Sequence, residues 1–334
     1  MTGKDLLMTL GTIDEAFYEE AEKPMPSRRR RIAIAVLVAA LLLLAGCSYA
    51  VLTQAQWFQG FFGRLNGQPL SQGQTAYIEE NVQPIGGQSV TVGHYRLTLE
   101  SALAEERTAC IRLRLEGPGL REMYSVGFLP RPLADGIGGK EAVFFRKGRT
   151  AQEESPYVQG LWSSVSEGDS VSILLWLEQS LTSETPFETG VPYILHLTDL
   201  EANPFGEPVK RLQEGEWDFE VVFDHLSREQ TELLTEPVTT VSQDYPGVSL
   251  TLTSWKLRSL GMDVQFEPGS QDYLGRGCLE DAVVVLKNGT RVGAYPLFYD
   301  PNGSATYTLD CPVDIREADY VQLRDGTCLP VPEV

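Results

Sequence analysis

The sequence predicts a mainly β chain with one membrane-crossing helix, and three observations carry that reading. Residues 32–52, IAIAVLVAALLLLAGCSYAVL, contain no charge. From Ser89 onward, apolar residues alternate with polar ones at a period of two, as in half-buried strands. Turns rich in Gly, Pro and Ser separate these runs, with no long helical pattern between them. The fold class expected is a short N-terminal cytoplasmic helix, one transmembrane helix and two tandem immunoglobulin-like β-sandwiches.

The apolar run has 21 residues, enough for a helix to cross about 30 Å of hydrocarbon. Arg28, Arg29, Arg30 and Arg31 stand immediately before it. Basic residues resist translocation, so they set the topology: N-terminus in the cytoplasm, everything after Leu52 exported. A second reading uses the same letters. Leu44-Ala45-Gly46-Cys47 matches a bacterial lipobox, in which cleavage leaves Cys47 as a lipidated first residue.

Before the arginines, Leu6, Leu10, Ile13, Phe17 and Ala21 recur at helical spacing, with Asp14, Glu15, Glu19 and Glu22 off the stripe. Lys23-Pro24-Met25-Pro26 ends the pattern. A lone helix of this length is marginal in water, and a groove on a cytoplasmic partner would stabilise it. The partner-binding residues expected are Leu6, Leu10, Ile13 and Phe17.

The expected organisation is a cytoplasmic segment (1–31), a span (32–52), a membrane-proximal segment (53–87), a first sandwich (88–225), a linker (226–237) and a second sandwich (238–334). Trp57, Phe58, Phe61 and Phe62 suit an interfacial aromatic belt or packing against the first exported domain. Ser71 caps a predicted helix through Asn81. Strands are expected at Ala142–Phe145, Val171–Leu177, Tyr193–Leu197 and Trp217–Phe223, and Ser227–Leu234 reads as a helical linker.

The second half echoes the first: Leu97-Thr98-Leu99-Glu100-Ser101 recurs as Leu250-Thr251-Leu252-Thr253-Ser254, 153 residues on. Ten residues past each serine another strand begins, which reads as two related units in tandem. Lys287-Asn288-Gly289-Thr290 is a hairpin turn signal, expected to place both Asn288 and Gly289 at positive φ.

Composition narrows the function. The 334 residues carry 27 basic and 46 acidic side chains, a net charge of −19. Residues 1–31 are balanced at six of each, so the excess lies beyond them. A surface that acidic repels phosphate backbones, and nucleic acid is not an expected partner. His94, His196 and His225 are widely spaced, and the five cysteines form no C-x-x-C pair, so no zinc motif is present. At most one disulfide is expected among Cys278, Cys311 and Cys328.

There is no phosphate loop, no G-x-S-x-G elbow and no H-E-x-x-H, which leaves an enzyme without a nucleophile and base. The acidic pairs Glu79-Glu80 and Glu105-Glu106, and the stretch holding Asp314 and Glu317, lack calcium-loop spacing and read as turn-solvating charges. No cofactor is expected.

Four sets of residues stand out together: Asp5-Leu6-Leu7 with Leu10-Gly11 and Ile13-Asp14-Glu15; Trp57-Phe58 with Phe61-Phe62; Leu70-Ser71, Gln74 and Tyr77-Ile78-Glu79-Glu80-Asn81; and Gly93-His94-Tyr95-Arg96-Leu97-Thr98-Leu99. As a set they resemble a family of single-pass membrane proteins of Gram-positive bacteria, anti-sigma-factor-like in type and carrying an exported domain of unknown function. The resemblance implies a cytoplasmic segment that holds an extracytoplasmic-function sigma factor, with Leu6, Leu10, Ile13 and Phe17 as contacts. It further implies an exported part that senses an envelope ligand or protein and weakens that hold. The alternative function is a cell-surface lipoprotein binding module lipidated at Cys47.

Overall fold

The computed structural model describes residues 51–128, 143–149, 158–167, 169–179, 181, 186–204, 209–267, 277–300 and 303–333. Leu6, Leu10, Ile13, Phe17, Arg28, Arg29, Arg30, Arg31 and Cys47 lie outside the described residues, as does the expected span except for its last two positions. Among the described residues, no helix is long and apolar enough to cross a membrane. The chain from Val51 onward is one compact, mainly β unit.

Helix α1 covers residues 51–65, and helix α2 is Gln72–Asn81. The expected capping serine is in place. Ser71 Oγ accepts from the Gln74 amide at 3.1 Å, and the Gln74 side chain accepts from the Ser71 amide at 2.9 Å, a reciprocal capping box.

Two sheets form the first half. The six-stranded sheet runs β1 (Gln83–Pro84), β3 (Tyr95–Ala104), β4 (Thr108–Glu116), β8 (Ser170–Gln179) and β7 (Val158–Glu167), with β2 (Ser89–Val92) also on β3. Facing it is a four-stranded sheet of β10 (Lys210–Val222), β9 (Pro192–Pro204) and β5 (Met123–Phe128), with β6 (Val143–Arg146) on β9. Alternation places Leu97, Leu99, Ile111, Leu113, Ile173 and Leu175 in one core with Leu195, Trp217 and Phe219. The four expected strands appear as β6, β8, β9 and β10.

Strand β8 is buried along its whole length. Its near-continuous apolar run, Ile173-Leu174-Leu175-Trp176-Leu177, has that cause: one face meets the sandwich core and the other meets the helices and the second half.

The second half differs from a two-sheet sandwich. Its strands form one nine-stranded antiparallel sheet, in the order β11 (Gln230–Glu232), β13 (Ser249–Arg258), β14 (Gly261–Phe266), β17 (Ser304–Leu309), β16 (Arg291–Asp300), β15 (Ala282–Leu286), β18 (Ala318–Gln322) and β19 (Cys328–Pro330), with β12 (Val238–Val241) on β13. The expected helical linker is corrected here, since residues 230–232 are strand β11, paired with Lys256–Arg258. Glu232 accepts from the Trp255 amide at 2.7 Å, and Leu233 is buried. Sheet pairing and that burial outweigh the local helical tendency of the segment.

The internal repeat extends to backbone irregularities. Hairpin β3–β4 shifts register between Leu99 and Ser101, and β13–β14 shifts between Leu252 and Ser254, the matching positions 153 residues on. Each inner strand carries an added strand with a hydroxyl pair at the same place, Ser89–Thr98 at 2.8 Å and Thr239–Thr251 at 3.4 Å. Bulges are specific features of a pairing, so the two hairpins share a backbone irregularity as well as a sequence pattern.

The turn after β15 is one residue longer than the expected two-residue Asn-Gly turn. Gly289 has φ 86°, but Asn288 is not at positive φ. The Leu286 amide donates to Thr290 O and the Gly289 amide to Leu286 O, a three-residue loop closed by a glycine bulge.

Gly73, in the first turn of α2, abuts the second half. Its amide donates to Glu317 Oε1 at 3.0 Å, and a Cβ there would lie 2.5 Å from both Asp314 Oδ2 and Glu317 Cδ. Gly73→Ala is therefore expected to lower stability by about 1–3 kcal/mol, read as a fall in Tm. An unchanged Tm would show that α2 does not sit this close.

Candidate functional site

Two buried polar clusters tie the helices and the two repeats together, and both are built around an arginine that ends or crosses an apolar strand. The first holds α1. Arg112, on the outer face of β4, places its guanidinium 4.2 Å from the Trp57 ring centroid. Its Nη1 donates to Gln54 Oε1 at 2.7 Å, and its Nε lies 3.0 Å from Glu100 Oε2. Gln54 also accepts from Ser101 Oγ at 2.8 Å, while Glu167 accepts from Trp57 Nε1 at 2.6 Å and from Ser172 Oγ at 2.8 Å. Burial lowers the Arg112 pKa and raises that of Glu100, each opposed by the other's charge. A cation–π contact this desolvated is worth about 1–2 kcal/mol.

The aromatic segment beside it is packed in protein. Phe58, Phe61 and Phe62 are at most 2% exposed, which corrects the interfacial-belt expectation. Phe58 and Phe62 stack at 5.9 Å, and Phe62 meets Trp176 of β8 edge-on at 5.9 Å. They belong to the same core as Trp255, Leu257 and Tyr307 of the second sheet. The rings point inward because α1 covers apolar surface left by both repeats.

The second cluster is the seam where hairpin β3–β4 meets hairpin β13–β14. Arg258 Nη1 donates to Glu105 Oε2 at 3.1 Å and to Thr108 Oγ1 at 2.6 Å, and Nη2 donates to Glu178 Oε1 at 2.9 Å and Asp263 Oδ1 at 3.0 Å. Glu105 Oε1 accepts from the Leu260 amide at 3.0 Å and the Tyr77 hydroxyl at 3.3 Å, and Glu178 Oε2 accepts from Thr108 Oγ1 at 2.7 Å. Burial pushes Glu105 up to about 7 and Glu178 up to about 8, against the pull of Arg258. The surrounding carboxylates raise Arg258 above its ordinary value, although burial opposes them.

Glu105 is not the turn-solvating charge that its sequence neighbours suggest. It is 2% exposed, because the segment at Ser227 and the second hairpin cover the turn. The signal that locates it is the repeat itself, since Glu105 and Arg258 are 153 residues apart, equivalent positions bearing opposite charges. Glu317 and Asp314 are also structural: Glu317 accepts from Ser71 Oγ and the Gly73 amide, and Asp314 accepts from the Arg316 amide at 2.9 Å.

His196 Nδ1 lies 2.6 Å from Asp218 Oδ1 on the surface, and the His225 backbone meets Gln83. Cys110, Cys278, Cys311 and Cys328 are free thiols. Among the described residues, no group of three His, Cys, Asp or Glu is placed to hold a metal ion. A surface pocket of about 220 Å³ is lined by Asp281, Arg291, Gln322, Arg324 and Gly326, and Arg324 is engaged by Asp244, Glu280 and Asp281.

No family model matches the chain, and no curated protein does. Two solved structures show a likeness. One is a conserved domain protein from Bacillus anthracis, 11% identical, covering 73% of this chain and 79% of that one with a TM-score of 0.45. The other is a DUF4426 family protein from Pseudomonas aeruginosa PAO1, 11% identical, covering 41% of this chain and 99% of that one with a TM-score of 0.19.

Proposed function

We propose that the protein is a membrane-anchored, anti-sigma-factor-like regulator without enzymatic activity. In this reading the N-terminal helix captures a cytoplasmic sigma factor through Leu6, Leu10, Ile13 and Phe17, and the exported β units sense or bind an envelope ligand or protein. The single supporting observation is the seating of α1. This helix follows the expected span directly, and its Trp57, Phe58 and Phe62 pack against Arg112, Trp176 and the second-sheet core. A body gripped that firmly at its membrane end would pass a change in the exported part to the segment before it.

Deleting residues 5–22 is expected to release the partner and change its target transcripts while leaving export intact. Co-purification and transcript measurement check this, and an unchanged transcript level overturns the reading. The lipoprotein alternative keeps support from Leu44-Ala45-Gly46-Cys47, since cleavage before Cys47 would leave α1 with the body. Tags at both ends, with a Cys47→Ala control, separate the two. An N-terminal tag retained on the 37 kDa species supports the anchor, and a mature protein starting at lipidated Cys47 supports the module.

A further inference from the structure

The seam between the repeats sets one cation against three carboxylates. Arg258 is the ion-pair partner of Glu105, Glu178 and Asp263. Full ionisation would leave two uncompensated negative charges in a site where the side chains of Arg258, Glu105 and Glu178 are 5%, 2% and 0% exposed. A buried charge without a partner costs several kcal/mol, and a buried carboxyl escapes that cost by keeping its proton.

The groups facing the cluster come from every element packed on it. Tyr77 reaches Glu105 from α2, and Thr108 and Cys110 line it from β4. Glu178 projects from β8, Arg258 ends β13, Asp263 comes from β14, and Ser227 hydrogen-bonds Tyr77. Burial holds the Tyr77 hydroxyl and the Cys110 thiol well above their ordinary values, so neither loses a proton where the carboxyls do.

We propose that this seam is a proton-dependent latch: with a proton on Glu105 or Glu178 the two hairpins stay clasped about Arg258, and loss of that proton opens the seam. The geometry couples charge to separation, because Glu105 and Glu178 lie on one repeat while Arg258 and Asp263 lie on the other. Opening rehydrates all four. It also frees Tyr77 from Glu105, which loosens α2.

The sign follows from linkage. Burial raises Glu105 to about 7 and Glu178 to about 8 from 4.5, so the closed seam holds more protons than the open one above that ordinary value. Closure is therefore fully favoured below about 4.5, weakens as the pH rises from there, and levels off once the pH has passed about 7 to 8. Each proton released on opening makes the opening constant rise about tenfold per pH unit between the open-state and closed-state values.

The test is hydrogen exchange by mass spectrometry on the full-length protein in detergent micelles, from about pH 6 to pH 9, with times corrected for intrinsic exchange. Segments 103–110, 174–179 and 256–264 are expected to lose protection by about tenfold or more between pH 6 and 8, while 193–200 and 217–222 in the first sandwich do not. The double variant Glu105→Gln with Glu178→Gln leaves Arg258 with Asp263 alone, a balanced pair, and its seam is expected to be flat with pH. A flat wild-type seam, equal loss in the reference strands, or an undiminished slope in the double variant overturns the latch. Should the double variant fail to fold, Glu178→Gln alone must make the slope shallower, and an unchanged slope is equally fatal. The measurement needs no partner, so its failure leaves the regulatory reading untouched.

Discussion

Arg258→Leu is expected to cost about 3–5 kcal/mol of stability near pH 8 and distinctly less near pH 5. The residue is the cation for Glu105, Glu178 and Asp263, and leucine fills much of its volume without its charge. Without Arg258, Glu105 and Glu178 lose the interaction that draws them toward ionisation, so their folded pKa values move further up. Near pH 5 the unfolded Glu105 and Glu178, at 4.5, are partly protonated too, and less separates the two states. As the pH rises, the unfolded chain gives up its protons freely and the folded variant cannot, so the deficit grows. Guanidinium unfolding at the two pH values measures it. A loss below about 1 kcal/mol at both would mean that the cluster is wetter and weaker than its geometry implies.

Phe62→Ala is expected to cost about 3–5 kcal/mol and to detach α1. Phe62 is fully buried, stacked on Phe58 and edge-on to Trp176, and it stands in the core shared by both repeats. Removing the ring leaves a cavity that the sheet face of β8 cannot close, because that strand is held on both sides. Trypsin cleavage at Arg64 should accelerate along with the fall in Tm. Leu65→Ala, at an exposed position of the same helix, should change neither. Equal effects of the two substitutions would show that α1 is held by its helix alone rather than by the ring.

The β class, the four anticipated strands, the capped helix at Ser71 and the repeated hairpin were legible in the sequence because each is a local signal. Alternation reports a half-buried strand, a serine three residues before Gln74 reports a helix start, and a repeated segment reports a repeated unit. The partner-binding stripe at Leu6, Leu10, Ile13 and Phe17 rests on the same kind of periodicity, in residues outside the described part.

Non-local pairing decided the rest. Ser227–Leu234 looks helical by composition, yet 230–232 pairs with an edge of β13 that lies more than twenty residues downstream. The aromatic rings of α1 carry no mark that tells a headgroup belt from a protein core, and only the second sheet's arrival beside them makes the choice. Glu105 and Arg258 look like ordinary charges at strand ends. The docking of the two hairpins strips water from both, because burial is a property of the assembled surface and not of any residue's neighbours in the chain.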